Sequence, residues 1–250
     1  SAGADLLAAG DAAFAGRDDP ARLAQALDAY GRAAAEAPGD PAAEIRLARA
    51  LAFRALSDPA AEGAWPGAAR AAERALRRPF PAFAEAVDAG KEPAEAAARV
   101  EAPGAEALYW LALATWSSAQ RKGVSALLAV KDAALSMMER AAALDERVDF
   151  GGPRRALGAW RASLPGPAGG GVAAARAHFE RARALAPGYQ LTRVREAETL
   201  CVLLQDKARF EALLGEVLAA EDASLPEAAP ENRLARRLAE ALRARAGRLF

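Results

Sequence analysis

Apolar and small residues along this chain recur three and four positions apart, the spacing that lines one face of an α-helix. The pattern is clearest from Val172 to Tyr189, VAAARAHFERARALAPGY. There Ala175 is followed by Phe179 four residues on, by Ala182 seven on and by Pro187 twelve on. Helical geometry puts the first three on nearly one face. The alanines let a neighbouring helix approach closely, the phenylalanine fills the space between, and the proline ends the helix. Small, large, small, stop is the order carried by the second helix of a tetratricopeptide-type hairpin. It recurs with substitutions as Ala26, Tyr30, Ala33 and Pro38, as Ala68, Ala72, Ala75 and Pro79, as Ala134, Met138 and Ala141, and as Phe210, Leu214 and Val217.

The first helices fall between these copies. One runs from Asp5 with Leu6, Leu7, Gly10, Ala13 and Phe14, and stops in the polar turn Gly16 to Pro20. Pro41 opens another, with Ile45, Leu47, Ala48, Leu51 and Phe53, and a long loop follows from Ser57 through Gly67. The alanine-rich stretch 83–100, broken at Gly90 and Pro93, matches no repeat and reads as a short helical pair lying over the stack. Pro103-Gly104 starts an aromatic first helix that ends at Arg121-Lys122-Gly123, and its partner closes at Asp145-Glu146. Pro153 starts the next hairpin, which turns through the glycine-rich loop Pro165 to Gly171. The last copy places Ala197 and Cys201 on one helix and turns at Gln205-Asp206. After the loop from Pro226 to Pro230, a closing helix from Glu231 to Phe250 carries Leu234, Leu238, Leu242 and Leu249 on one side and arginines on the other, as a capping helix does. First positions of the copies, at 26, 68, 134, 175 and 210, are 42, 66, 41 and 35 residues apart. A plain array repeats every ~34 residues. The expected fold is therefore an all-α, irregular tetratricopeptide-like stack of hairpins, an α-solenoid forming one domain over 1–250.

Composition supports this and narrows the function. Val, Ile and Thr number only thirteen together, which leaves little material for a sheet. Thirty-three basic residues balance 33 acidic ones, so neither nucleic acid nor an acidic membrane is the expected partner. The longest uncharged run is fourteen residues, too short to span a bilayer. Cys201 is the single cysteine and sits in an apolar run, where a buried hydrophobe is expected rather than a reactive thiol. His178 is the single histidine, with no second His or Cys nearby for a metal. Neither HExxH, CxxC nor GxSxG occurs, so the expectation is a non-enzyme without cofactor or metal. Asp145, Glu146 and Asp149 lack the alternation of a calcium loop and read as a solvated helix end. The Pro165–Gly171 loop lacks the lysine and hydroxyl of a phosphate loop and reads as a connector.

One constellation invites a ligand. Tyr109, Trp110, Trp116 and Trp160 all come from first helices, which line the hollow side of such stacks. Arg154, Arg155 and Arg161 lie beside Trp160 in sequence, and guanidinium groups hold carboxylates in bidentate fashion. Together they would form a groove for an apolar body with an acidic head, or for a protein loop anchored on the same residues. The plainer alternatives are core for the aromatics and helix surface for the arginines.

Several stretches together resemble the T-component family of TRAP (tripartite ATP-independent) transporters, TatT. They are ALYWLALATW, SMMERAAALDE, LGAW with LPGPAGGGVAAARAHFERARALAPGY, LLQDKARFEALLGEVL, and PENRLARRLAEAL with the final LF. The resemblance covers 68–250 and is strongest after Pro153. Where that family often reads LG-x-YY, this chain has Leu157-Gly158-Ala159-Trp160-Arg161. The resemblance implies a periplasmic, lipid-anchored helical protein that binds the solute-binding protein of a TRAP system; the aromatic and arginine groove adds the expectation of a small hydrophobic organic acid as a ligand. The anchoring residue would precede Ser1, and homo-oligomerisation stays open. The rival expectations are a helical carrier with an aromatic cavity and a general envelope scaffold for protein–protein contacts.

Overall fold

The computed structural model describes residues 1–61 and 63–250, and every regular element among them is helical. The first hairpin pairs α1 (Ala2–Phe14) with α2 (Pro20–Glu36). The Asp19 carboxylate accepts the N–H of Ala21, and Pro20 takes the first helical position, where a missing N–H costs nothing. Asp40 and Pro41 repeat the device at the start of α3 (Pro41–Ser57), whose partner is α4 (Ala64–Arg77). The loop expected between them holds a 3-10 turn at Pro59–Ala61, and position 62 within it lies outside the described residues.

The expected insertion is a short helical pair, α5 (Pro81–Asp88) and α6 (Pro93–Ala97), turning at Gly90 with φ 65°. The third hairpin is α7 (Ala105–Lys122) with α8 (Val124–Asp145), joined through the single residue Gly123 at φ 111°. The insertion does not interrupt the stacking: α7 packs directly on α3 and α4, while α6 lies against α8.

Packing divides the chain into two compact units, Ser1–Val148 and Asp149–Phe250. The second contains α9 (Val148–Ser163) from Asp149 onward, then α10 (Val172–Leu185) and α11 (Leu191–Glu196), which runs on into a π-turn at Ala197–Cys201. After these come α12 (Lys207–Ala219), α13 (Ala229–Ala244) and α14 (Ala246–Leu249). The closing helix is thus two pieces rather than one. It starts at Ala229 and breaks at Arg245, whose N–H reaches only to Leu242 O, the tighter bonding with which helices end.

The small-large-small positions are where the core forms. Ala26, Tyr30 and Ala33, the Ala68 set, the Ala134 set, Ala175, Phe179 and Ala182, and the Phe210 set are all buried. The partner helix supplies space for the large member. A Cβ added to Gly10 on α1 would lie 2.4 Å from Cε1 of Tyr30, and one on Gly158 of α9 would lie 3.0 Å from the Phe179 ring. Phe179 closes a cluster with Ala162, Ala175 and Leu200. At Ala182 the backbone itself is approached, since a Cβ on Gly151 would meet Ala182 O at 3.2 Å. Ala182→Leu should therefore overpack this seam and cost about 1–3 kcal/mol. Thermal or urea denaturation reads that directly, and an unchanged midpoint would contradict the packing.

Candidate functional site

The aromatic half of the expected groove sits on α7 and α9. Tyr109, Trp110 and Trp116 are 2%, 4% and 2% exposed, and Trp160 is 4% exposed. Tyr109 meets Trp110 edge-on with ring centroids 4.7 Å apart. The Trp110 indole N–H donates to Glu106 one turn earlier, at 3.3 Å. The first three belong to the first unit and Trp160 to the second, so the two halves of the set are built independently.

The three arginines of α9 have diverged in role. Asp149, Phe150 and Gly151 at its start are left-handed, with φ of 48°, 57° and 79°, which is strained for the two that are not glycine. Arg155 holds that turn closed. It donates to the carbonyls of Phe150 at 3.1 Å and Asp149 at 3.0 Å, and to the Asp149 carboxylate at 2.8 Å. Its guanidinium lies over Tyr189 at 4.4 Å, and Tyr189 stacks on Phe150 with an interplanar angle of 16°. Arg161 donates to Gly169 O at 2.6 Å and so ties down the glycine-rich loop. Arg154 approaches Nδ1 of His178 at 3.4 Å. Burial lowers the pKa of His178, and the charges of Arg154 and Arg161 lower it further, so the ring is neutral at pH 7. The neighbouring surface thus keeps the charge of the two half-buried arginines and gains none from the histidine. Removing the Arg155 side chain would take this salt bridge from the Asp149 carboxylate, which is only 16% exposed, and the Arg155 donors from two carbonyls. Arg155→Ala should cost about 3 kcal/mol in urea denaturation; a loss below ~0.5 kcal/mol would show that the turn does not depend on it.

A second constellation, which the sequence reading missed, lies in the first unit. Asp11 and Phe14 of α1, Ala15 just after it, Ile45, Arg46 and Arg49 of α3, and Glu106 of α7 line a cleft of about 410 Å³. Asp11 accepts two bonds from Arg46, at 2.9 and 3.1 Å, and one from the Tyr30 hydroxyl at 2.7 Å. Burial would raise the Asp11 carboxyl, but the hydrogen bonds and the charges of Arg46 and Arg49 outweigh it and hold it below the ordinary carboxylate range. Burial and the Asp11 charge push the Tyr30 hydroxyl up. The signal in the sequence was the pair of charges, Arg46 and Arg49, among the apolar positions of α3. Elsewhere chemistry is sparse. Cys201 is buried, and burial followed by Glu196 and Asp206 pushes its thiol up to about 12, out of the reactive range. Among the described residues no group of three or more His, Cys, Asp or Glu side chains is placed to hold a metal ion.

Stacked hairpins with small-large-small seams and a cleft between first helices define a tetratricopeptide-like repeat protein. Residues 23–250 match the TRAP transporter T-component family, TAtT, and the chain belongs to it. The match begins within α2, so it covers more of the chain than the stretches whose resemblance is visible by eye. No curated protein matches the chain. The family is one of transport components, which puts the role of this protein in TRAP transport.

Proposed function

We propose that this protein is a non-enzymatic, lipid-anchored component of a TRAP system in the periplasm, that it docks on the system's solute-binding protein, and that it binds a small organic acid. The family match over 23–250 carries the reading. A feature of α8 supports the docking. Its first half, Val124 to Val130, is VSALLAV, and there Val124 is 74% exposed and Leu128 45%. Apolar side chains held in water on a regular helix are the raw material of a protein contact. No helix among the described residues is long and apolar enough to cross a membrane. Attachment through a lipid upstream of Ser1 is part of the proposal. In this reading Tyr109, Trp110, Trp116 and Trp160 shape the ligand-facing helices from within. Arg154 and Arg161, half-buried beside His178, contribute positive charge at the surface, and Arg155 sets the turn from which they project.

The second reading is a carrier that works without a transporter partner, and the cleft between α1, α3 and α7 favours it. Binding to the solute-binding protein of the same TRAP system, measured by surface plasmon resonance, separates the two. The intact protein should bind, and the double substitution Val124→Glu with Leu128→Glu should weaken binding roughly tenfold or more while leaving the thermal midpoint in place. No measurable binding by the intact protein would leave the carrier standing.

A further inference from the structure

We propose that the cleft between α1, α3 and α7 binds a small organic acid with a single carboxylate and, besides it, a hydroxyl or ammonium group, with Arg49 as the anchor. The volume of about 410 Å³ falls within the ~300–1,000 Å³ of small-molecule sites. Four charged side chains line it, and two of them neutralise each other. Arg46 spends Nε and one Nη on Asp11, and the Tyr30 hydroxyl takes a further place on that carboxylate. Arg49, which also approaches Asp11 and the Tyr30 hydroxyl, and Glu106, whose charge also acts on Arg46, form no salt bridge among the described residues and are the two that a ligand can engage.

Arg49 is oriented for the task. Its guanidinium lies 4.5 Å from the centre of the Phe14 ring, which fixes its plane. Its Nε is buried and has no hydrogen-bond partner. That atom is shielded from the cleft, so a ligand meets the part of the guanidinium that lines it, whose planar fork matches a carboxylate with two parallel bonds.

Glu106 sets the other end. One of its oxygens accepts the Trp110 indole N–H, and an ionised carboxylate has further acceptor capacity but nothing to donate. It therefore selects a donor, a hydroxyl or an ammonium, and repels a second carboxylate. Phe14, Ile45 and Ala15 give the body of the ligand an apolar wall. Selectivity follows from charge: monocarboxylates with a donor enter, and dicarboxylates and neutral amides do not. Trp110, from the set expected in the sequence, acts here as a positioning residue for Glu106.

The assignment rests on reading the chain as a ligand-binding transport component, and its test needs no transporter partner. Calorimetric titration of the purified protein with lactate, gluconate and γ-aminobutyrate should give saturable binding for at least one. Succinate, and lactamide in place of lactate, should bind roughly tenfold weaker or not at all. Arg49→Gln should weaken the bound acid by roughly tenfold or more with an unchanged thermal midpoint. Should that variant fail to fold, Ala15→Phe decides: Ala15 is exposed on the cleft wall, and a ring there blocks the space without touching a charge. If no acid binds the intact protein, if succinate or lactamide binds as well, or if binding survives in the folded variant, the assignment is overturned. Acid binding without capture of the solute-binding protein would remove the docking reading and keep this site. Capture without acid binding would remove this site alone.

Discussion

A small residue on one helix receiving a ring or branched side chain from the next is the contact on which the hairpins depend. Gly10 takes Tyr30, Gly158 takes Phe179, and alanines flank the large residue on both sides. The geometry is unforgiving, because a single added methyl at either glycine would overlap or press on the opposing ring. It also explains a composition so rich in alanine. Alanine loses no side-chain entropy on burial and leaves the helix surface shallow enough for another helix to settle on it. The surface is hydrophobic without being sticky at long range, so repeats of this kind tolerate long loops and the α5–α6 insertion between seams.

Close packing leaves little room for charge, yet buried carboxylates cross the seams. Glu44 on α3, with its side chain 1% exposed, takes both Nε and Nη2 of Arg74 on α4, at 2.8 and 2.9 Å. Glu196 at the end of α11 takes Arg183 from α10 and Arg209 from α12. Asp11 on α1, whose side chain is 43% exposed, makes a more solvated tie to Arg46 from α3 and the hydroxyl of Tyr30 from α2. Each acid joins two or three elements at once, and at Glu44 and Glu196 removing the arginine would strand a charge in a poorly solvated place. Such ties fix which helices are neighbours; the apolar seams fix how close they come. In the cleft, Arg49 packs its guanidinium on the Phe14 ring, with the Asp11 charge nearby.

The fold was legible because its signal is local and periodic. Every small-large-small position and nearly every turn, from Gly16 to Gln205, follows from residues within one or two helical turns of each other. The left-handed start of α9 was not legible. Neither Asp149 nor Phe150 favours that conformation, and what stabilises it is Arg155, six residues on, together with Tyr189 on the far side of α10. For the same reason the three α9 arginines looked equivalent in sequence. Neighbours on a helix point about 100° apart, so Arg155 turns inward while Arg154 stays half-buried. The aromatics were easy to find, but their burial depends on what packs over them. The cleft was hidden because its residues come from three helices, between Asp11 and Glu106, that only tertiary packing brings together.

The small-for-large fit within a hairpin carries the fold, and a double-mutant cycle at Gly158 and Phe179 measures it. Gly158→Ala adds a methyl where the ring leaves no space, and Phe179→Leu removes the ring that it meets. Each change alone should destabilise the protein in urea unfolding. Combined, they should cost less than their sum by about 1 kcal/mol or more, because the leucine makes room for the added methyl. Additivity within ~0.3–0.5 kcal/mol would mean that the two positions do not feel each other, and the packing rule proposed for the hairpins would be wrong.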